Sequence, residues 1–362
     1  MLLLRILLFP FSFIYGLIVI IRNWAYDLEI FSSRKFRIPV ISVGNLTAGG
    51  AGKTPMTEYL VGLLKDKFHL ATLSRGYGRK TKGYVDVTIN SSANEVGDEP
   101  RQFKQKFPKV TVAVCEDRRE GIKRLNYEHE LIILDDAYQH RAVKPGLSIL
   151  LYDYTQLFKW QWFLPTGNLR EPLYGRKRAH IIVVTKTPAQ ITEADKRKIV
   201  KRVNPKNKQV VFFSCFIYRP LKLVNDLFTT RKLETISNKT RIVLLTGIAN
   251  ARPLINELRK YTTLIDHYKY ADHYNFSEKN ITKLVNDFSN CKDEDKVLVT
   301  TEKDLQRLKS RAIRDIMKSV DLYYLPVEVK IHEPDEDQFI QLIEDYATKH
   351  TADYRIYKKK NW

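Results

Sequence analysis

Short runs of almost wholly apolar residues, rich in β-branched side chains, recur at 38–43, 70–74, 131–134, 147–152, 181–185 and 210–216. Each is bounded by turn residues and followed by an amphipathic stretch. Strands with one wet face alternate apolar and polar residues, whereas strands covered on both faces are apolar throughout. The pattern therefore predicts an α/β fold with a doubly wound, mostly parallel sheet. A shorter series follows at 242–245, 262–265, 297–300 and 322–329. It predicts a first domain over 25–216, a linker over 217–240, and a second, smaller α/β domain over 241–362. No internal repeat or low-complexity tract interrupts either series.

The first residues break this pattern. From Leu2 to Ile21 the chain is apolar except for Arg5 and the mild interruptions Pro10, Ser12 and Gly16. Twenty residues at helical rise cover about 30 Å, the depth of a bilayer core. A cleaved signal peptide is disfavoured, because no small-x-small site precedes Ile21, Arg22, Asn23, Trp24 and Ala25. The segment 1–24 is expected to be a membrane-anchoring helix, either spanning or lying in the plane with a kink at Pro10. Trp24, Arg22, Arg34 and Lys35 suit the interface in both cases. Basic residues after the segment place the rest of the chain on the cytoplasmic side.

Composition adds a constraint on partners. The 362 residues include 61 Lys and Arg against 41 Asp and Glu, a formal net charge of +20. Such an excess calls for an anion: nucleic acid, an anionic membrane or a polyphosphate. Cys115, Cys215 and Cys291 have neither disulfide nor zinc-site spacing, so the chain reads as reduced.

The chemistry concentrates after the strands. Gly44-Asn45-Leu46-Thr47-Ala48-Gly49-Gly50-Ala51-Gly52-Lys53-Thr54 joins an apolar run to an amphipathic helix. Glycines let backbone N–H groups converge on phosphate oxygens, Lys53 answers their charge, and the Thr54 hydroxyl can reach Mg²⁺. Only Thr47 departs from the strict phosphate-loop pattern, which has Gly there. The run 131–134 ends in Asp135 and Asp136, as a carboxylate-bearing strand for Mg²⁺ should. Ala137, Tyr138, Gln139, His140 and Arg141 follow at the sheet edge where ligands of open α/β folds bind. Further polar clusters sit at 74–79, 97–100, 164–172, 272–276 and 300–304. Together they predict one cleft between two domains, lined for phosphoryl transfer.

With these residues in place, the sequence resembles the tetraacyldisaccharide 4'-kinase family, the lipid A 4'-kinases. The shared motifs run in order: GNLTAGGAGKTP, LSRGYGRK, GDEP, LDDAYQHR, LPTGNLREP, VVTK, TGIAN, DHYNF and TTEKDL. The family's own form of the loop accounts for Thr47. The resemblance implies a P-loop NTPase-like fold, ATP and Mg²⁺ as cofactors, and γ-phosphate transfer to the 4'-hydroxyl of a tetraacylated glucosamine disaccharide 1-phosphate. It implies that Asp98 acts with His273 to activate that hydroxyl, with Lys53 and Arg170 also catalytic. Thr47, Ala48, Gly49, Gly50, Ala51, Gly52, Lys53 and Thr54 hold the nucleotide; Thr54, Asp135, Asp136 and Glu171 are candidates for the metal shell; Arg75, Gln139 and His140 are candidates for substrate contacts.

Two other classes fit less well. A GTPase would carry Asp two residues after Lys186, and this chain has Pro188. A nucleic-acid binder would show an RNA-binding or zinc signature, and none is present. The partners implied are the lipid substrate and the inner membrane surface, with no nucleic acid and no obligatory protein partner.

Overall fold

The computed structural model describes residues 7–206, 208–226 and 228–361. Its strands are β1 (Val40–Asn45), β2 (Leu70–Ser74), β3 (Val85–Asp86), β4 (Thr111–Val114), β5 (Leu131–Asp135), β6 (Leu147–Asp153), β7 (Ile181–Thr185), β8 (Val210–Tyr218), β9 (Leu221–Leu223), β10 (Thr230–Arg231), β11 (Arg241–Thr246), β12 (Ile265–Lys269), β13 (Lys296–Thr301), β14 (Leu322–Leu325) and β15 (Val327–Ile331). The helices that matter below are α1 (Phe9–Asp27), α2 (Lys53–Leu64), α3 (Asp98–Lys106), α4 (Glu278–Asn290), α5 (Glu302–Leu305) and α6 (Glu336–Asn361).

The large sheet has nine strands in the order β15-β8-β7-β6-β1-β5-β2-β4-β3. The seven inner strands are parallel, and β3 and β15 close the two edges antiparallel. Strands β1, β2, β5 and β7 are buried along their whole length, in keeping with their mainly apolar sequences. One face is covered by α2 and α6, with Met56, Leu60, Phe339 and Ile343 in a common cluster. The opposite face is filled by clusters around Ile132 and Ile182. The second sheet has six strands in the order β10-β9-β14-β13-β11-β12, with α4 supplying Ile281, Leu284, Val285 and Phe288 to its core.

Two domain boundaries expected from sequence are corrected. The stretch 217–240 is not a plain linker, because β9 and β10 within it are antiparallel strands of the second sheet. Residues 241–362 are not one domain either. The run 322–329 is cut at Pro326, which has no N–H to continue a ladder. Strand β14 before it pairs with β13 in the second sheet, whereas β15 after it pairs with β8 in the first. Helix α6 then packs on the first domain, where the Tyr346 hydroxyl donates to the Val40 carbonyl at 3.1 Å and accepts from its N–H at 3.2 Å. The second domain is thus an insertion between adjacent strands of the first.

Of the segment expected at 1–24, residues 1–6 lie outside the described residues. Helix α1 is long and apolar enough to cross a membrane. It buries only Ser12, Gly16, Val19 and Asn23, one stripe at helical spacing, and leaves Phe13, Ile14, Leu17, Ile18, Ile21 and Trp24 exposed.

Phe339 is fully buried, with its ring edge-on to Phe212 at 5.1 Å between centroids. Phe339→Ala should cost about 3–5 kcal/mol. Denaturant unfolding of the full chain checks this.

Candidate active site

The site begins where β1 hands the chain to α2. Gly52 adopts φ 84° to make that turn, and a Cβ there would stand 3.1 Å from the Phe216 ring. Gly49, at φ 108°, has nothing within 4 Å of where a Cβ would project, so the loop offers an open concave face to phosphate oxygens. Lys53 Nζ donates to Asn45 Oδ1 at 3.2 Å and lies 3.6 Å from Asp136 Oδ1. The first half of the loop is held from the side: Thr47 bridges to Leu169, and the Ala48 N–H donates to the Asn168 carbonyl at 2.6 Å.

Strand β5 lies beside β1 with Asp135 opposite Val43. Asp135 is buried and accepts from the Thr57 hydroxyl at 3.0 Å. Burial, Asp136 and Glu99 push its carboxyl up to about 7. Asp136 turns the other way, at φ 47°, to receive Arg170 Nη1 at 3.0 Å. Burial works against its ionisation, but Lys53 and Arg170 outweigh it and hold the carboxyl below its usual range. Gln139 Nε2 donates to the Asn45 carbonyl at 2.7 Å, which brings Gln139 into the same group.

A second group forms at the start of α3. Gly97, at φ 93°, lets this turn pack on the 74–79 loop, because a Cβ would meet the Tyr77 carbonyl at 3.0 Å. Asp98 follows and is buried. Its Oδ2 accepts from Arg307 Nε at 3.0 Å and lies 2.9 Å from His273 Nδ1. Burial alone would raise this carboxyl, yet the His273 hydrogen bond and the Arg307 charge leave it below the ordinary carboxylate range. His273 Nε2 is 3.0 Å from Lys303 Nζ, which pairs in turn with Glu99 at 3.0 Å. Residues from both domains therefore surround one carboxylate. Asp136, Lys186 and His273 all have positive φ, the kind of backbone strain that collects at functional sites.

Arg75 is exposed after β2, and His140 lies 3.6 Å from Asp117. Arg118 is buried, with Nη2 donating to the Asp136 carbonyl at 3.4 Å.

Glu171 does not fit the metal shell that the sequence suggested. It is fully buried, and its carboxylate is taken up by Arg22 at 3.2 Å, Asn23 at 3.0 Å and Arg178 at 2.6 Å. It fastens α1 to the 164–172 loop instead. Thr54, Asp135 and Asp136 remain as oxygen-bearing groups at the loop, a set that suits a hard cation completing its shell with phosphate and water. Among the described residues no three His, Cys, Asp or Glu side chains group as a metal site.

Several residues escaped the sequence reading. Arg307 falls three residues after Asp304, within one helical turn of TTEKDL, and that spacing was the available signal. Lys186 ends the VVTK run. Its Nζ pairs with Asp153 at 2.7 Å and sits 3.9 Å from where a Gly50 Cβ would be, on the nucleotide side of the loop. Asn45 was visible in the loop motif, but its contact with Lys53 was not.

A glycine loop from strand to helix, a lysine at the first helical position and paired carboxylates on the neighbouring strand define a P-loop phosphotransferase. Residues 4–347 match the family described as tetraacyldisaccharide-1-P 4'-kinase. The chain belongs to that family. A tetraacyldisaccharide 4'-kinase of Bacteroides thetaiotaomicron is 42% identical over 98% of this chain and 96% of its own length. Its counterpart in Flavobacterium psychrophilum is 42% identical over 96% of this chain and 98% of its own. Among solved structures, LpxK from Aquifex aeolicus in complex with ATP superposes with a TM-score of 0.70 at 30% identity, covering 95% of this chain and 99% of that one.

Burial and the Arg118 charge push the His140 imidazole down to about 4. The native state therefore binds this proton more weakly than the unfolded chain, whose imidazole titrates near its ordinary 6.5. Stability should fall as pH drops from about 6.5 to about 4. His140→Gln should flatten that slope, as read by urea unfolding across the range.

Proposed function

We propose that this chain transfers the γ-phosphate of ATP to the 4'-hydroxyl of a tetraacylated glucosamine disaccharide 1-phosphate, at the cytoplasmic face of the inner membrane. The observation that carries this reading is Asp98: a carboxylate held below its ordinary range by His273 and Arg307, where the second domain meets the domain that carries the phosphate loop. In the reaction the hydroxyl oxygen forms the new P–O bond as the bond to ADP breaks, and Asp98 takes the hydroxyl proton. His273, hydrogen-bonded to Asp98 Oδ2, orients the carboxylate. Lys53 and Arg170 face the phosphates and offset the charge that develops on them. Thr54, Asp135 and Asp136 would hold Mg²⁺, which supplies electrostatic stabilisation of the transferring group.

Membrane association is supported by α1. Its polar and small stripe is committed to the protein, with the Ser12 hydroxyl donating to Thr166 at 2.7 Å and the Tyr15 hydroxyl to the Arg170 carbonyl at 3.2 Å. A helix tied along its length to a catalytic loop suits an in-plane anchor, with the apolar face turned to lipid. Trp160 and Trp162, also exposed, extend that face beyond Phe9. The double variant Phe13→Ser/Leu17→Ser should weaken flotation with anionic vesicles by about tenfold or more, since each side chain withdrawn from lipid forfeits roughly 1.5–3 kcal/mol. Unchanged flotation would remove α1 as the anchor.

The activity is tested with purified protein in detergent, the disaccharide 1-phosphate acceptor and labelled ATP. Label should enter the lipid fraction, and its absence from folded protein overturns the reading. Asp98→Ala should lower turnover by about 10²–10⁴ while ATP affinity is kept. Equal loss of ATP affinity would make Asp98 a nucleotide or metal ligand instead.

A further inference from the structure

Helix α3 lies between the phosphate-loop helix and the second domain, and it is fastened at both ends. Its first residue, Asp98, meets His273 and Arg307. Its last, Lys106, enters a buried cluster that plays no part in the chemistry above. Lys106 Nζ donates to Glu58 Oε2 at 2.8 Å and lies 3.7 Å from Glu302 Oε1. Glu58 stands one turn beyond Thr54 on α2, and Glu302 opens α5 in the second domain. Gln102 Nε2 donates to Glu58 Oε1 at 2.8 Å, and the Val327 N–H to Glu302 Oε2 at 3.3 Å. Each of the four carboxylate oxygens thus faces one nitrogen donor. Burying two carboxylates against a single ammonium is expensive unless geometry is good, and burial pushes the carboxyls of both Glu58 and Glu302 up. Plain packing would not need this arrangement.

We propose that Glu58, Lys106 and Glu302 are positioning residues: a three-part ionic clamp that sets the separation between the phosphate loop and Asp98 and holds the second domain against both. A nine-residue helix is a rod of about 13 Å, so fixing its far end fixes where its first residue points. Glu302 is also the neighbour of Lys303, which touches His273. Loss of the clamp therefore loosens Asp98 and His273 together while leaving the phosphate loop intact. The inference rests on the kinase reading and concerns acceptor activation within it.

The test is steady-state kinetics of the full chain in detergent with ATP and the lipid acceptor, run beside the unsubstituted protein. Lys106→Met should lower kcat by about tenfold to a hundredfold with the KM for ATP changed by less than about threefold, because small misplacements at a reacting centre are costly. Lys106→Arg, which can reach both carboxylates, should recover most of the loss. If Lys106→Met does not fold, Glu302→Gln decides, since it preserves shape and should show the same split between kcat and KM. In a cycle with Glu58→Gln the two effects on kcat should be non-additive. An unchanged kcat in the folded variants overturns the clamp, as does a fall in kcat matched by lost ATP affinity and not rescued by Arg. Lack of lipid labelling by the unsubstituted protein would instead overturn the kinase reading.

Discussion

The proposed chemistry depends on keeping one buried carboxylate charged. Asp98 lies buried at a domain boundary, where burial alone would drive it to hold its proton. Arg307 and His273 reverse that, and both come from the inserted domain. The first domain supplies the carboxylate, the turn that presents it and the phosphate loop; the second supplies the His273 and Arg307 partners that hold it below its ordinary range. In the proposed reaction neither domain holds a complete site alone, so their contact is part of that chemistry as well as a support for it.

A second dependency runs through the 164–172 loop. Its backbone pairs with Thr47 and Ala48 of the phosphate loop, Arg170 reaches Asp136, and Glu171 is buried against Arg22 and Arg178. Through Glu171 the apolar helix α1 is tied to the segment that shapes the nucleotide site. With α1 as the proposed anchor for a lipid acceptor, this ties the site to the exposed apolar face of that helix.

What the sequence disclosed follows the range of the interactions involved. Buried parallel strands announce themselves through unbroken apolar runs, and the phosphate loop through local glycine and lysine spacing, so the first domain and its loop were legible. The pairing of Asp98 with His273 came only through family resemblance, since 175 residues separate them and no spacing rule links them. Glu171 misled because a carboxylate beside Arg170 in a polar loop looks like a ligand, and only three dimensions show Arg22, Asn23 and Arg178 closing over it. The return of the chain at Pro326 was hidden for a similar reason: β14 and β15 read as one apolar run, and their partners lie in different sheets.

That return shapes how the domains can be held. Both connections of the inserted domain leave from β8 and β15, which are hydrogen-bonded neighbours with Tyr218 opposite Val327. Two adjacent strands constrain translation strongly but resist rotation about their common axis weakly. The angle between the domains must then be set by contacts farther from that axis. Helix α3 provides them, through Arg101 to the Gln306 carbonyl, Lys309 to Gln105, and the Lys106 cluster. A helix that begins with Asp98, the base of the proposed reaction, thus also carries contacts that join the two domains, which couples their relative placement to that carboxylate.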